Sequence, residues 1–134
     1  MKPQDLLYAK THEWVHVDRD SAGQQIATIG ISHFAVEALT DLVFIELPEV
    51  GRHVKSGESF GEVESTKSVS DLYAPLSGKV SAVNTDLEGS PQLVNSDPYG
   101  AGWLLDVQVS DVAAAESAIS SLLDAEAYRG TLTE

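Results

Sequence analysis

The sequence predicts a mainly β protein of α+β class, and three observations carry that prediction. Short runs rich in Val, Ile, Phe, Tyr and Trp recur along the chain. Clusters of Gly, Pro, Asp, Asn and Ser separate them and mark turns. Only two stretches carry a full helical signal, one opening at Ser32 and one near residue 111. At 134 residues the chain fits one domain, 1–134, and is long enough to bury its own core.

Residues 13–17 read as the first strand, with Val15 and Val17 on one face and Trp14 and His16 on the other. Residues 18–23 are turn-like, and 25–31 form a second strand, giving a hairpin. Ser32 has the chemistry of a helix N-cap, and Ile31 and Val36 fit the hydrophobic staple around it, so a short helix runs to about Leu39. Residues 42–47 are strongly apolar and predict a strand partly buried on both faces, stopped by Pro48. Residues 54–58 form a turn carrying Gly57.

Phe60 and Val63 open the next strand, and Val69, Leu72 and Tyr73 the one after it, which Pro75 stops. Residues 78–84 form a further strand. Residues 85–102 hold Pro91, Pro98 and several glycines, and predict turns with one helical turn near 92–95. Residues 103–109 read as the last strand. Ser110 or Asp111 then caps a C-terminal helix of about 111–128, whose stripe of Val112, Ala115, Ile119 and Leu122 should pack on the sheet.

The charge balance excludes whole classes of function. Eight Lys and Arg face 21 Asp and Glu, a formal net charge of −13. Such a surface repels nucleic acid and anionic membranes, and suits docking onto basic protein surfaces. The chain has no cysteine, so it supplies no thiol chemistry, and a reducing compartment is expected. The first ten residues lack the apolar run of a signal peptide and are not arginine-rich, so the expected location is cytoplasmic. No apolar run approaches membrane-spanning length.

Against that acidic background one cation stands out. Ser65-Thr66-Lys67-Ser68 is the polar turn between two strands, with Glu62, Glu64 and Asp71 around it. A lysine at a hairpin tip is held away from the core on a stiff base. Its acidic neighbours keep the amine protonated, which disfavours a Schiff-base nucleophile. Lys67 reads as an attachment point that another enzyme reaches and modifies; the bland alternative is a solvated surface lysine.

His12-Glu13-Trp14-Val15-His16 also matches H-E-x-x-H, the helical zinc-peptidase motif. Here the surrounding residues are β-formers. On a strand the two histidines would sit roughly 13 Å apart, too far for one zinc with Zn–N bonds of about 2 Å. His33, His53 and Glu37 are unsupported as a third ligand. No P-loop, dinucleotide fingerprint or nucleophile elbow is present.

The segment Gly61 to Pro75, read G-E-V-E-S-T-K-S-V-S-D-L-Y-A-P, closely resembles the lipoylation region of glycine cleavage system H proteins. The likeness continues through Thr11-His12-Glu13-Trp14-Val15, Ile29-Gly30-Ile31-Ser32, the block from Asp41 to Gly51, Ser77-Gly78-Lys79-Val80, and the block from Leu93 to Leu104. The resemblance implies a flattened β-barrel or sandwich of the lipoyl-domain type, built from two similar halves. It implies a non-catalytic carrier, with lipoic acid in amide linkage to Lys67. The carrier would take an aminomethyl group from the PLP-dependent glycine decarboxylase to the tetrahydrofolate-dependent aminomethyltransferase. The resulting dithiol would then go to dihydrolipoamide dehydrogenase.

Glu64, Ser65, Thr66, Ser68 and Asp71 would be the context that lipoylating enzymes read. Glu13 and Asp71 match acidic positions placed to meet the loaded, cationic arm; the alternative for Glu13 is a solvated strand residue. Thr66 and Ser68 stand where Val and Ala are common. Ala38 stands where some members carry histidine, and any contact made by that histidine is lost here. The protein is expected to act as a monomer. Three alternatives stand beside the carrier reading: within the carrier class, a relay holding octanoyl or lipoyl groups for transfer to other proteins; and from other classes, the zinc peptidase suggested by His12 to His16 and a β-sandwich interaction module without a prosthetic group.

Overall fold

The computed structural model describes residues 2–19, 21–109 and 111–132. Asp20 of the predicted turn and Ser110, one of the two cap candidates, lie outside the described residues. The strands are β1 (Leu7–Tyr8), β2 (Glu13–Arg19), β3 (Gln25–Ile31), β4 (Leu42–Glu46), β5 (His53–Val54), β6 (Ser59–Ser65), β7 (Val69–Tyr73), β8 (Gly78–Val83), β9 (Leu105–Gln108) and β10 (Leu123–Asp124). The α-helices are α1 (His33–Leu39), α2 (Asp86–Gly89), α3 (Gln92–Ser96), α4 (Val112–Ser120) and α5 (Ala125–Thr131).

The strands form two antiparallel sheets, and together they make the flattened sandwich that the resemblance implied. The larger runs β10-β1-β2-β3-β9-β8-β5 and the smaller β4-β6-β7. Between them lies the main core. Ile29, Ile31, Val80, Leu105 and Val107 come from the larger sheet, and Leu42, Ile45, Phe60, Val63 and Leu72 from the smaller. Val36, Leu87 and Val94 from α1, α2 and α3 close the same cluster. At roughly 1.5–3 kcal/mol for each such side chain removed from water, this cluster is the main force joining the layers.

Local chemistry explains the elements that position the site. Ser32 caps α1, its side chain accepting from the Ala35 N–H, while Ile31 and Val36 pack in the same core. Gly30 faces Trp14 across the β2–β3 ladder. A Cβ there would lie 2.2–2.4 Å from the indole ring, so only glycine leaves room for the buried Trp14. The indole N–H donates to the Pro98 carbonyl at 3.0 Å. Gly57 in its turn has φ +83°, which explains that glycine.

Several expectations are corrected. The strand after α1 is not buried on both faces: a register shift between Leu42 and Phe44 turns Val43 and Phe44 outward. The predicted turn at 18–23 begins later, because β2 continues to Arg19 against Gln25. The strand expected at 103–109 spans only Leu105–Gln108, and it is not the last. β1 and α2 were not anticipated at all.

The helix expected at 111–128 is two helices. Asp111 caps α4, its side chain accepting from Ala114 N–H. α4 then ends at paired serines whose hydroxyls donate to the Ser117 and Ala118 carbonyls. Leu123 and Asp124 pair with β1, and the Asp124 side chain restarts the helix by accepting from Ala127 N–H. Ala115 and Ala118 of α4 pack in a second cluster together with Leu122 beyond its end, while Val112 is exposed.

Candidate functional site

The β6–β7 hairpin carries Lys67 at an exposed tip. The tip is short and braced by hydrogen bonds. Ser65 N–H donates to the Ser68 carbonyl at 2.8 Å, and Thr66 N–H donates to the Asp41 carbonyl at 3.1 Å. The Ser65 hydroxyl accepts from Lys67 N–H at 3.2 Å and from Ser68 N–H at 3.0 Å, and donates to the Ser68 carbonyl. Ser65 is 6 % exposed, so it is the internal brace of the turn. Thr66 and Ser68 are exposed beside Lys67, as is Glu64 on the preceding strand.

Behind the tip stands a residue that sequence reasoning did not single out. Asn95 on α3 accepts from Leu42 N–H at 3.0 Å and donates to the Thr40 carbonyl at 2.7 Å, bracketing Asp41. Asp41 in turn holds Thr66. The lysine-bearing turn is thereby tied to a neighbouring helix. The only signal was that Asn95 falls inside the block from Leu93 to Leu104 that resembles the family.

Between α1 and the β6–β7 hairpin lies a cleft of about 200 Å³. Its walls are largely apolar, with Phe34, Ala38 and Leu39 on one side and Val63 and Leu72 on the other. Thr11, His12, Glu13, Ser70 and Asp71 supply the polar atoms. The structure therefore gathers Glu13 and Asp71 at one cleft, although 58 positions separate them in the sequence. Asp71 is exposed and lies on β7, four residues beyond Lys67 in the sequence. The nearby methyl of Ala38 leaves the cleft wall apolar.

Glu13 lines this cleft but is 1 % exposed, so it is not the solvated strand residue that was the alternative for it. One carboxylate oxygen accepts from the Thr11 hydroxyl, and the other accepts from Tyr73 N–H at 3.0 Å. It thus fastens β2 to the end of β7. Burial pushes its carboxyl above the ordinary range, and the bonds from Thr11 and Tyr73 partly oppose that rise.

The H-E-x-x-H match lies on no helix. His12 precedes β2 with φ +81°, so the pattern of two histidines on one strand face is also overturned. His12 Nδ1 lies 2.6 Å from the Tyr128 hydroxyl, His16 faces Asp18, and His33 faces Glu37. Among the described residues, no group of three His, Asp or Glu side chains is placed to hold a metal ion. No helix among them is long and apolar enough to cross a membrane.

Comparison with known proteins agrees with this architecture. The family described as Glycine cleavage H-protein matches residues 6–134. A glycine cleavage system H protein of Mycobacterium avium (strain 104) is 71% identical over 132 residues, covering 98% of this chain and 97% of that protein. Another from Mycobacterium leprae (strain Br4923) is 67% identical with the same coverage. The crystal structure of a glycine cleavage system H protein from Mycobacterium marinum superposes with a TM-score of 0.85 at 45% identity, covering 99% of this chain and all of that one.

Proposed function

Because the chain belongs to the glycine cleavage H-protein family, we propose that it is a lipoyl carrier of glycine cleavage, with Lys67 as the attachment point. The observation that carries this reading is the braced hairpin tip, which presents Lys67 to an incoming enzyme. Lys67 makes no ion pair among the described residues, so its amine is free to be acylated. When attached to Lys67, the lipoyl group would supply a disulfide able to carry a one-carbon amine on sulfur and to remain on the lysine as a dithiol once that group is passed on.

The residues present fit such a group. The apolar walls of the cleft can shelter an aliphatic arm from water, and Asp71 at its mouth offers an anion to a cationic amine. Glu13 acts from behind, because both of its oxygens are already engaged. Thr66, Ser68 and Glu64 form the surface that lipoylating enzymes meet, while Ser65 fixes its shape. Residues 1–134 act as one carrier unit, as a monomer and in the cytoplasm. The carrier serves in turn glycine decarboxylase, aminomethyltransferase and dihydrolipoamide dehydrogenase. Its net charge of −13 suits basic docking faces on them. The chain has no catalytic group of its own; tethering raises the local concentration of the carried group.

Intact-mass measurement of the protein from its native host, with peptide mapping and a Lys67→Arg control, tests this. A lipoyl-sized addition on Lys67 that the control lacks is the expected result. An octanoyl addition would favour the relay role. An unmodified lysine in cells that lipoylate other proteins would refute the carrier reading.

A further inference from the structure

A partly buried hydrogen-bond chain runs from the C-terminal helix to the cleft. The Tyr128 hydroxyl lies 2.6 Å from His12 Nδ1 and 2.7 Å from the Ser32 hydroxyl. Its ring stacks on Tyr8, with centroids 4.5 Å apart and planes within 4°. Tyr8 is fixed in turn, its hydroxyl donating to the Pro3 carbonyl. Ser32 N–H donates to the His12 carbonyl at 2.8 Å. Three separate segments therefore meet at one hydroxyl: the loop before β2, the cap of α1, and α5.

The direction of the chain follows from counting protons. Ser32 is 0 % exposed, and its oxygen already accepts from Ala35 N–H. Its own hydroxyl proton must have an acceptor, since a buried unpaired donor costs about 1–3 kcal/mol. The Tyr128 oxygen is the only acceptor beside it among the described residues. Ser32 therefore donates to Tyr128. The single Tyr128 proton is then left for His12, so Nδ1 accepts. An imidazole accepting at Nδ1 carries its proton on Nε2. Burial holds the His12 pKa below its ordinary value, which keeps the ring neutral.

Tyr128 does not line the cleft, but His12 does, against Phe34 with ring centroids 5.2 Å apart. The ring edge turned away from Tyr128 is the one carrying Nε2. Among the described residues, Nε2 has no protein partner.

We propose that Tyr128 is a positioning residue that locks His12 as the Nε2–H tautomer, and that His12 offers this N–H to a hydrogen-bond acceptor on the group docked in the cleft. The cleft then presents two complementary poles. Asp71, with Glu13 behind it, attracts a cationic amine, while His12 Nε2–H meets an acceptor such as an amide oxygen or a sulfur lone pair. A neutral donor suits this place better than an imidazolium, which would repel the cationic end of the same ligand. The contact to the arm rests on the carrier reading of Lys67; the tautomer assignment does not.

The first measurement is nitrogen-15 NMR of the histidine side chains at neutral pH, on the full chain with Lys67 unmodified. His12 should show one tautomer, with the proton on Nε2. Tyr128→Phe, which keeps the stacked ring and loses only the hydroxyl, should mix the tautomers. A proton on Nδ1, or a tautomer indifferent to Tyr128→Phe, overturns the lock. The second measurement uses lipoylated protein bearing the one-carbon amine and follows its spontaneous loss to water, in which one water is consumed and ammonia, formaldehyde and the free thiol are released. Loss should quicken about fivefold in Tyr128→Phe and in His12→Leu, the weight of one net hydrogen bond. His12→Gln, which keeps an N–H donor at the same reach, should restore the slow rate. His12 is only half-buried, so the Leu and Gln variants carry the test if Tyr128→Phe does not fold. Equal rates in Leu, Gln and the parent chain overturn the arm contact. A Lys67 that takes up no lipoyl group overturns the carrier reading, and the tautomer result still stands by itself.

Discussion

Replacing Ser65 with alanine tests whether the tip must be preformed for Lys67 to be modified. Three residues, 66–68, are held in one conformation, at a backbone entropy cost of about 1–2 kcal/mol each. The Ser65 hydroxyl opposes that cost by accepting two N–H bonds, from Lys67 and Ser68. Each contributes about 1 kcal/mol net. Both donors sit on exposed residues and regain water when the hydroxyl is lost, so the expected loss is about 1–2 kcal/mol of tip order. That corresponds to a factor of roughly 5–30 in the ordered fraction. Amide hydrogen exchange at Lys67 and Ser68 should quicken by that factor, while core amides such as Val63 stay protected. The kcat/KM for enzymatic lipoylation should fall by up to the same factor. Ser68→Ala is the control for the exchange measurement alone, because the Ser68 hydroxyl makes no bond in the turn. Unchanged exchange would show that the hydroxyl does not hold the tip. Faster exchange with undiminished lipoylation would refute the idea that preformation matters.

Three further outcomes are expected. Gly30→Ala drives a methyl group into the buried Trp14 ring, so urea unfolding should show a loss of about 2–3 kcal/mol; a loss below about 0.5 kcal/mol would contradict the packing. Glu13 has a folded-state pKa above its unfolded value of about 4.5, so its contribution to stability is fully present below that pH and declines as pH rises through the higher, folded value. Glu13→Gln removes this decline, and its stability relative to the parent chain should therefore improve from pH 4 to pH 7; parallel stability curves would refute the buried, raised carboxyl. Asp124→Ala removes the cap of α5 and should cost about 1 kcal/mol in thermal or urea unfolding, with faster amide exchange at Ala127.

The order of strands, the capped helix at Ser32 and the presentation of Lys67 on a polar turn follow from local chemistry. They rest on β-branched runs, on Ser, Pro and Gly at fixed offsets, and on a cation isolated among carboxylates, all of which act over a few residues. Sequence alone therefore determined the β-rich class, the β2–β3 and β6–β7 hairpins, and the lysine to watch. Tertiary structure decided whatever depends on partners distant in the chain. Glu13 is buried because Tyr73, 60 residues away, supplies a donor for it. Phe44 is exposed because a register shift turns it outward. The C-terminal helix breaks at Leu123 and Asp124 because β1 offers a backbone edge at the far end of the sequence. The tip is tied to α3 because Asn95 brackets Asp41, which holds Thr66. Burial and long-range hydrogen bonding are set by which surfaces meet, and residues far apart in sequence give no local sign of that meeting.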